Sequence, residues 1–300
     1  MDESERRWAP RAELDALCGE RLGDARLDGL WVAGELDALR APCVAVVGTR
    51  APSDAGRRRA RRLAEELGRA GVCVVSGLAL GIDGAAHEGA LAAGAPTIGV
   101  LGGGHDHFFP PRHRELAARI VAGGGAVVSP FAPAVEPRPW QFLARNGIIA
   151  GLADAVLVVE AAARSGALNT AGHAADRGIP VLAIPGDVDR LKAAGCNGLI
   201  RDGATLVRDA EDVLAALPLP LAPPPRRRAG AVKGADDALR AGDPPEVRRI
   251  VAALAERACD AAGLADALGL APWTLLPLLT ELELAGRIAP GSDGYALVRR

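Results

Sequence analysis

The stretch Val72-Cys73-Val74-Val75-Ser76-Gly77-Leu78-Ala79-Leu80-Gly81-Ile82-Asp83-Gly84-Ala85-Ala86-His87 decides the fold. A short apolar, β-branched run breaks into a loop with glycines at 77, 81 and 84, then enters an alanine-rich helix over Ala85–Ala93. A strand that feeds a glycine loop and a helix is how a parallel α/β sheet builds an anion site. The loop amides and the positive end of the helix dipole converge on one place. The spacing is G-x3-G-x2-G rather than G-x-G-x-x-G, so no nicotinamide or flavin cofactor is indicated. A tight turn that binds nothing is the competing reading.

The same rhythm repeats outward. Cys43–Val47, Pro96–Leu101, Ala126–Ser129, Ala155–Val159 and Pro180–Ile184 are short apolar runs of strand type. Helices are expected over Gly56–Ala70, Arg114–Ala122 and Leu168–Arg177, with a further one opening at Asn146 after a proline-rich irregular segment, Pro130–Pro139. Together with the opening stretch this makes six strands alternating with helices, an α/β doubly wound, mostly parallel sheet. Residues 1–40 read as a lead-in, with a short helix near Glu13–Leu17 and a short strand at Gly29–Gly34.

Composition agrees. Of 300 residues 49% are hydrophobic and 3% aromatic, which suits a core of Ala, Val, Leu and Ile under helices. The net charge of −2 excludes a surface uniformly coated in positive charge, so a polyanion would meet locally gathered cations. The five cysteines are scattered with no C-x-x-C pair, which points to reduced thiols in the cytoplasm. No apolar signal segment or membrane-length apolar run is present.

Residues 218–245 read as an extended linker, with prolines bracketing Arg226-Arg227-Arg228. Residues 246–300 read as three helices, the third over Pro272–Ala285, and a hairpin joined through Pro290–Gly294, a winged-helix pattern. The third helix carries no Arg or Lys, so protein contact or regulation is favoured there over DNA reading.

Ligands of such sheets sit outside the carboxyl ends of the strands. Those ends carry Gly48-Thr49-Arg50, Ser76-Gly77, the Gly102 loop, Arg164-Ser165-Gly166 with Thr170 one turn on, and Pro185-Gly186. Glycine, hydroxyls and arginine fit phosphate. Trp140, Phe142 and Arg145 pair aromatics with a cation, as a base stacked beside a phosphate contact requires, although core anchoring is the simpler role for Trp140. Five arginines within 57–62 read as a solvated helix face, His105-Asp106-His107 as a turn rather than a metal site, and Asp83 with His87 as structural. No G-x-S-x-G, Walker A or H-E-x-x-H sequence is present, and no catalytic residue is assigned.

This motif set resembles the DNA-processing protein A family (DprA, also called Smf). The resemblance rests on Val46–Arg50, Ser76–Asp83 with His87, Leu101–Gly104, Arg145–Leu152, Arg164–Ala171, Ile184–Gly186 and Gly195–Ala204, in family order over about residues 30–217. It implies an extended Rossmann-type fold, usually dimeric, that binds single-stranded DNA in a basic pocket and hands the strand to RecA during natural transformation. No catalysis, cofactor or metal is implied. The residues it marks for DNA are Gly48, Thr49, Arg50, Ser76, Gly77, Arg145, Asn146, Arg164, Ser165, Gly166, Thr170, Gly186, Asn197 and Arg201. The chain departs from the family at Leu80 and Gly147, where arginines are common, and the usual N-terminal helical domain is reduced to residues 1–40 or absent. A phosphoribohydrolase on the same broad fold is the alternative. Its P-G-G-x-G-T-x-x-E signature is replaced here by Leu101-Gly102-Gly103-Gly104-His105, without the acid.

Overall fold

The computed structural model describes residues 6–23, 27–217, 243–256, 259–291 and 294–298. They fall into two compact units, divided at Pro224/Pro225. The expected linker at 218–245 lies, up to residue 242, outside the described residues.

The first unit is built on a nine-stranded sheet. Its strands are β1 (Arg6–Pro10), β2 (Gly29–Gly34), β3 (Cys43–Val47), β4 (Cys73–Ser76), β5 (Thr97–Val100), β6 (Ala126–Ser129), β7 (Ala155–Val158), β8 (Val181–Ala183) and β9 (Thr205–Leu206). The spatial order is β1-β2-β6-β5-β4-β3-β7-β8-β9. All pairings from β6 to β9 are parallel. β1 and β2 add an antiparallel edge.

The apolar runs are continuous because both faces are covered. Cys43, Ala45 and Val47 of β3 enter one core with Val75, Val100, Val128 and Val156. Val44 and Val46 enter the other with Val74, Ala155 and Leu157. The first face is closed by α1 (Arg11–Cys18), α5 (Pro139–Gly151) and α6 (Ala167–Ala175). The second is closed by α2 (Asp54–Arg69), α3 (Ile82–Ala92) and α8 (Ala210–Ala215). Between them in the chain run α4 (Arg114–Ala122) and α7 (Ala194–Arg201).

Two features differ from the sequence expectation. The helix expected from Asn146 begins seven residues earlier, at Pro139. Proline fits the first helical position, where its missing N–H costs nothing, and the Gln141 side chain folds back to accept from the Arg138 amide. The region taken as irregular is thus partly the first turn of α5. Likewise α3 begins at Ile82 rather than Ala85, which places Asp83 and Gly84 in its first turn.

The direction of travel explains where a ligand belongs. From β3 the chain winds through β4 and β5 to β6, then crosses back to place β7 on the other side of β3. The strand order therefore reverses between β3 and β7, and the loops leaving their carboxyl ends part to form a crevice.

The second unit contains α9 (Pro245–Glu256), α10 (Ala261–Leu268), α11 (Pro272–Leu284) and an antiparallel pair, β10 (Ile288–Gly291) and β11 (Gly294–Leu297). Val247, Ile250, Leu254, Leu264, Leu275, Leu279, Leu282 and Ile288 share its core. Arg287 pairs with Asp243, both side chains about nine-tenths buried. This is a winged helix. Among the α11 residues whose side chains are described, Thr274, Pro277, Thr280, Glu281 and Glu283 are exposed, and none is basic.

Candidate functional site

At the crevice between β3 and β7 the structure has a cavity of about 290 Å³. Its walls come from the loop after β3 (Gly48, Thr49, Arg50), the start of α3 (Asp83), the buried side of α5 (Phe142, Arg145, Asn146) and the start of α6 (Ser165, Gly166, Thr170).

The opening stretch supplies the support beneath it. Gly81 has φ +91°, and a Cβ there would lie 2.4 Å from the Thr49 carbonyl oxygen. Only glycine lets the two loops touch. The Ile82 amide donates to the Thr49 carbonyl at 3.2 Å, and the Thr49 amide donates to the Glu160 carbonyl at 2.7 Å. Gly48 sits under Ile82, 2.5 Å from where its Cβ would be. The loop that carries Arg50 is therefore fixed from both sides.

Arg145 is 3% exposed. Its Nη1 donates to the carbonyls of Gly77 and Val100, while its Nε is buried without a partner. Burial pushes this guanidinium down to about 10, against the opposing pull of Asp83. Asp83 is equally enclosed. Burial pushes its carboxyl up to about 6, opposed by Arg145 and by the amides of Ala79 and Gly77. Arg50 is exposed at the rim, its guanidinium carbon 5.6 Å from the centre of the Phe142 ring. Arg145 lies 5.9 Å from the same ring. Both distances are in the cation–π range. One aromatic ring thus serves an exposed cation and a confined one. On the far wall the Ala167 amide donates to Ser165 Oγ at 3.4 Å at the start of α6, and Asn146 Nδ2 donates to the Gly166 carbonyl at 3.3 Å.

Eight of the fourteen residues singled out in the sequence line this cavity: Gly48, Thr49, Arg50, Arg145, Asn146, Ser165, Gly166 and Thr170. The other six are elsewhere or differently used. Ser76 is fully buried, and its hydroxyl donates to the Val46 carbonyl at 2.6 Å, so it ties β4 to β3 and is not presented to a ligand. Gly77 offers its carbonyl to Arg145 behind the wall. Arg164 is exposed in the loop after β7, outside the lining. Gly186 borders a separate cavity of about 510 Å³ with Arg59 and Arg190. Asn197 locks that loop, accepting from the Gly186 amide at 3.1 Å and donating to its carbonyl at 2.9 Å. Arg201 pairs with its neighbour Asp202 on the surface.

Other expectations resolve as follows. His87 meets Thr97 Oγ1 at 2.9 Å rather than Asp83, and both belong to the folded interior. His105 lies against the Val127 carbonyl at 3.0 Å and Asp106 pairs with Arg6, which ties the turn to the sheet. Trp140 is no core anchor: it is 57% exposed. Leu80 is 37% exposed. Val47, Ala79 and Ile149 also line the cavity. They lie inside the motifs Val46–Arg50, Ser76–Asp83 and Arg145–Leu152, but their apolar side chains did not mark them as site residues.

The model of DNA recombination-mediator protein A matches residues 25–218, and that of the DprA winged helix domain matches residues 234–294. The chain belongs to the DprA/Smf family. It is 41% identical to Protein Smf of Escherichia coli over 271 residues, 90% of this chain and 72% of that one. It is 44% identical to the DNA processing protein DprA of Streptococcus pneumoniae over 186 residues, 62% of this chain and 65% of that one. The chain spans only about half of the putative DNA processing protein DprA of Mycobacterium tuberculosis, 48% of its length at 45% identity. Among solved structures, DNA processing protein A from Streptococcus pneumoniae superposes with a TM-score of 0.66 at 37% identity, covering 73% of this chain and 80% of that chain. The protein from Helicobacter pylori, described for its single-stranded DNA binding mode, gives 0.61 at 25% identity over 70% and 94%. Membership of a DNA-processing family fits a site lined by arginine and hydroxyls. No helix among the described residues is long and apolar enough to cross a membrane.

Proposed function

We propose that the chain binds single-stranded DNA in the cavity between β3 and β7 and, as a cytoplasmic homodimer, delivers the strand to the RecA recombinase. The observation that carries this reading is Arg50, an exposed guanidinium held on a fixed loop against the Phe142 ring at the mouth of the cavity. A phosphate meets the Arg50 cation and the hydroxyls of Thr49 and Ser165 that line the cavity, while a base meets an aromatic face. Arg145 keeps the wall in place and adds positive potential from inside. Arg164 extends that potential along the β7 side. The Helicobacter pylori relative, described for single-stranded DNA binding, supports the choice of ligand.

The reading is one of binding rather than catalysis. Asp83, the acid that lines the cavity, is buried and engaged with the backbone amides of Ala79 and Gly77. The test is a gel shift with single-stranded and duplex oligonucleotides of one sequence at two salt concentrations. Binding of the single strand with a steep salt dependence, and much weaker duplex binding, is the expected result. Equal affinity for both would overturn it. Light scattering and RecA filament assembly on protein-coated DNA test the homodimer and the delivery step.

A further inference from the structure

Trp140 is the most exposed of the large aromatic side chains outside the cavity lining among the described residues. It stands in the first turn of α5, held by Pro139 at the helix start and by the Gln141 cap behind it. Its indole is 57% exposed and rests on Phe131, ring centres 5.8 Å apart and planes at 88°. One perpendicular ring covers at most one face of an indole, so the other is open. Phe131 is fixed in turn: its amide donates to Ser129 Oγ at 3.0 Å, and Ser129 donates to the Gly103 carbonyl at 2.8 Å.

The position is continuous with the site. Leu143, which lines the cavity and is 54% exposed, lies three residues after Trp140 on the same helix. Residues spaced by three or four share a helix face. One turn of helix, about 5.4 Å along the axis, thus leads from the cavity wall to the indole. Arg138, exposed at the cap of α5, sets a cation beside the platform.

We propose that Trp140, backed by Phe131, is a stacking platform for a second base of the single strand, next to the nucleotide held at the cavity. The inference rests on the single-strand reading above. A base has a flat apolar face of the size the indole leaves open, and stacking on aromatics needs no particular base. The sugar–phosphate between the two bases then passes Leu143, with Arg138 and Arg50 available to its charge.

The experiment measures affinities of the full chain and its variants for a fluorescently labelled 12-nucleotide oligothymidylate and for an abasic chain of equal length. Trp140→Ala is expected to weaken oligothymidylate binding ~5-fold or more, the low end of single-base stacking losses. Trp140→Phe is expected to recover most of that loss. Neither change should alter the slope of affinity against salt, because no phosphate contact is removed. On the abasic chain the Trp140→Ala variant and the unaltered protein should be equal. Unchanged oligothymidylate binding by Trp140→Ala, or an equal loss on the abasic chain, would overturn the platform and leave the surface for a protein partner. Failure of the unaltered protein to bind single strands would overturn both readings. Loss on Arg50→Ala without loss on Trp140→Ala would overturn the platform alone.

Discussion

Two arginines, one largely and one fully enclosed, sit at opposite ends of the same pair of strands, and they are finished differently. Arg21 lies at the amino ends of β3 and β7. Its guanidinium donates to the carbonyls of Leu17, Cys18, Leu39, Ala41 and Leu152 and pairs with Asp154. Asp154 also accepts from the Cys43 amide at 2.7 Å, so the whole knot is closed. Arg145 lies at the carboxyl ends. It has two carbonyl partners, an unpartnered Nε, no ion pair, and a cavity in front of it. The first arginine is a strut. The second is a strut that faces a space for something else. Unsatisfied polarity at a buried site is expensive, and it persists where the site is completed from outside.

The sharpest way to break this comparison is to replace each arginine by methionine. Arg21→Met leaves Asp154 and several carbonyls without their cation and should cost about 3–5 kcal/mol of stability in urea denaturation, with oligonucleotide affinity of the folded protein unchanged. Arg145→Met removes two carbonyl partners and should cost less, about 2–3 kcal/mol, but should also weaken single-strand binding. Equal stability losses with equal, unaltered affinity would erase the distinction.

A smaller effect concerns pH. Asp83 is held at about 6, above its ordinary value of 3.8, so the folded state binds the extra proton. Its contribution is fully present below about pH 4 and is lost as pH rises through about 6. His87 is pushed down to about 3 by burial, from 6.5, so its contribution is present above about 6.5 and is lost as pH falls toward 3. Between about pH 4 and pH 6 the two slopes oppose each other. Asp83→Asn should therefore unmask a rise of stability with pH in that window, of at most about 1.4 kcal/mol per pH unit. Denaturation midpoints across pH check it. A profile identical to that of the unaltered protein would show that Asp83 is not the compensating group.

The smallest expected effect is at Leu80, beside the mouth and 37% exposed. Leu80→Arg should leave stability within about 0.5 kcal/mol. It should steepen the salt dependence of single-strand binding by about one unit if the strand passes over this loop. An unchanged slope would place the strand's path elsewhere.

Much of the fold was legible because a strand buried on both faces must be apolar throughout, as Cys43–Val47 and Ala155–Val158 are. The edges were not. Arg6–Pro10 reads RRWAP, with mostly exposed or half-exposed side chains, and Thr205–Leu206 has two residues. Neither gives a periodic signal. The direction of β2 depends on its antiparallel register with β6, which composition does not encode. The site was legible as a set of loops at strand ends. Its depth was not: Arg50 and Arg145 look alike in sequence, yet one is exposed and the other enclosed. Ser76 and Ser165 are both hydroxyls beside glycine, and only the pairing of β4 with β3 commits the first to Val46. The prolines before Trp140 suggested a break where the fold uses one of them to start a helix.

The central claim is that Arg50 presents its charge to a single strand at the cavity mouth. Titrating the unaltered chain and Arg50→Ala with a single-stranded oligonucleotide over a range of salt tests it most directly. The account predicts weaker binding by Arg50→Ala, a salt slope shallower by about one unit, and unchanged stability. An affinity and slope equal to those of the unaltered chain would contradict it.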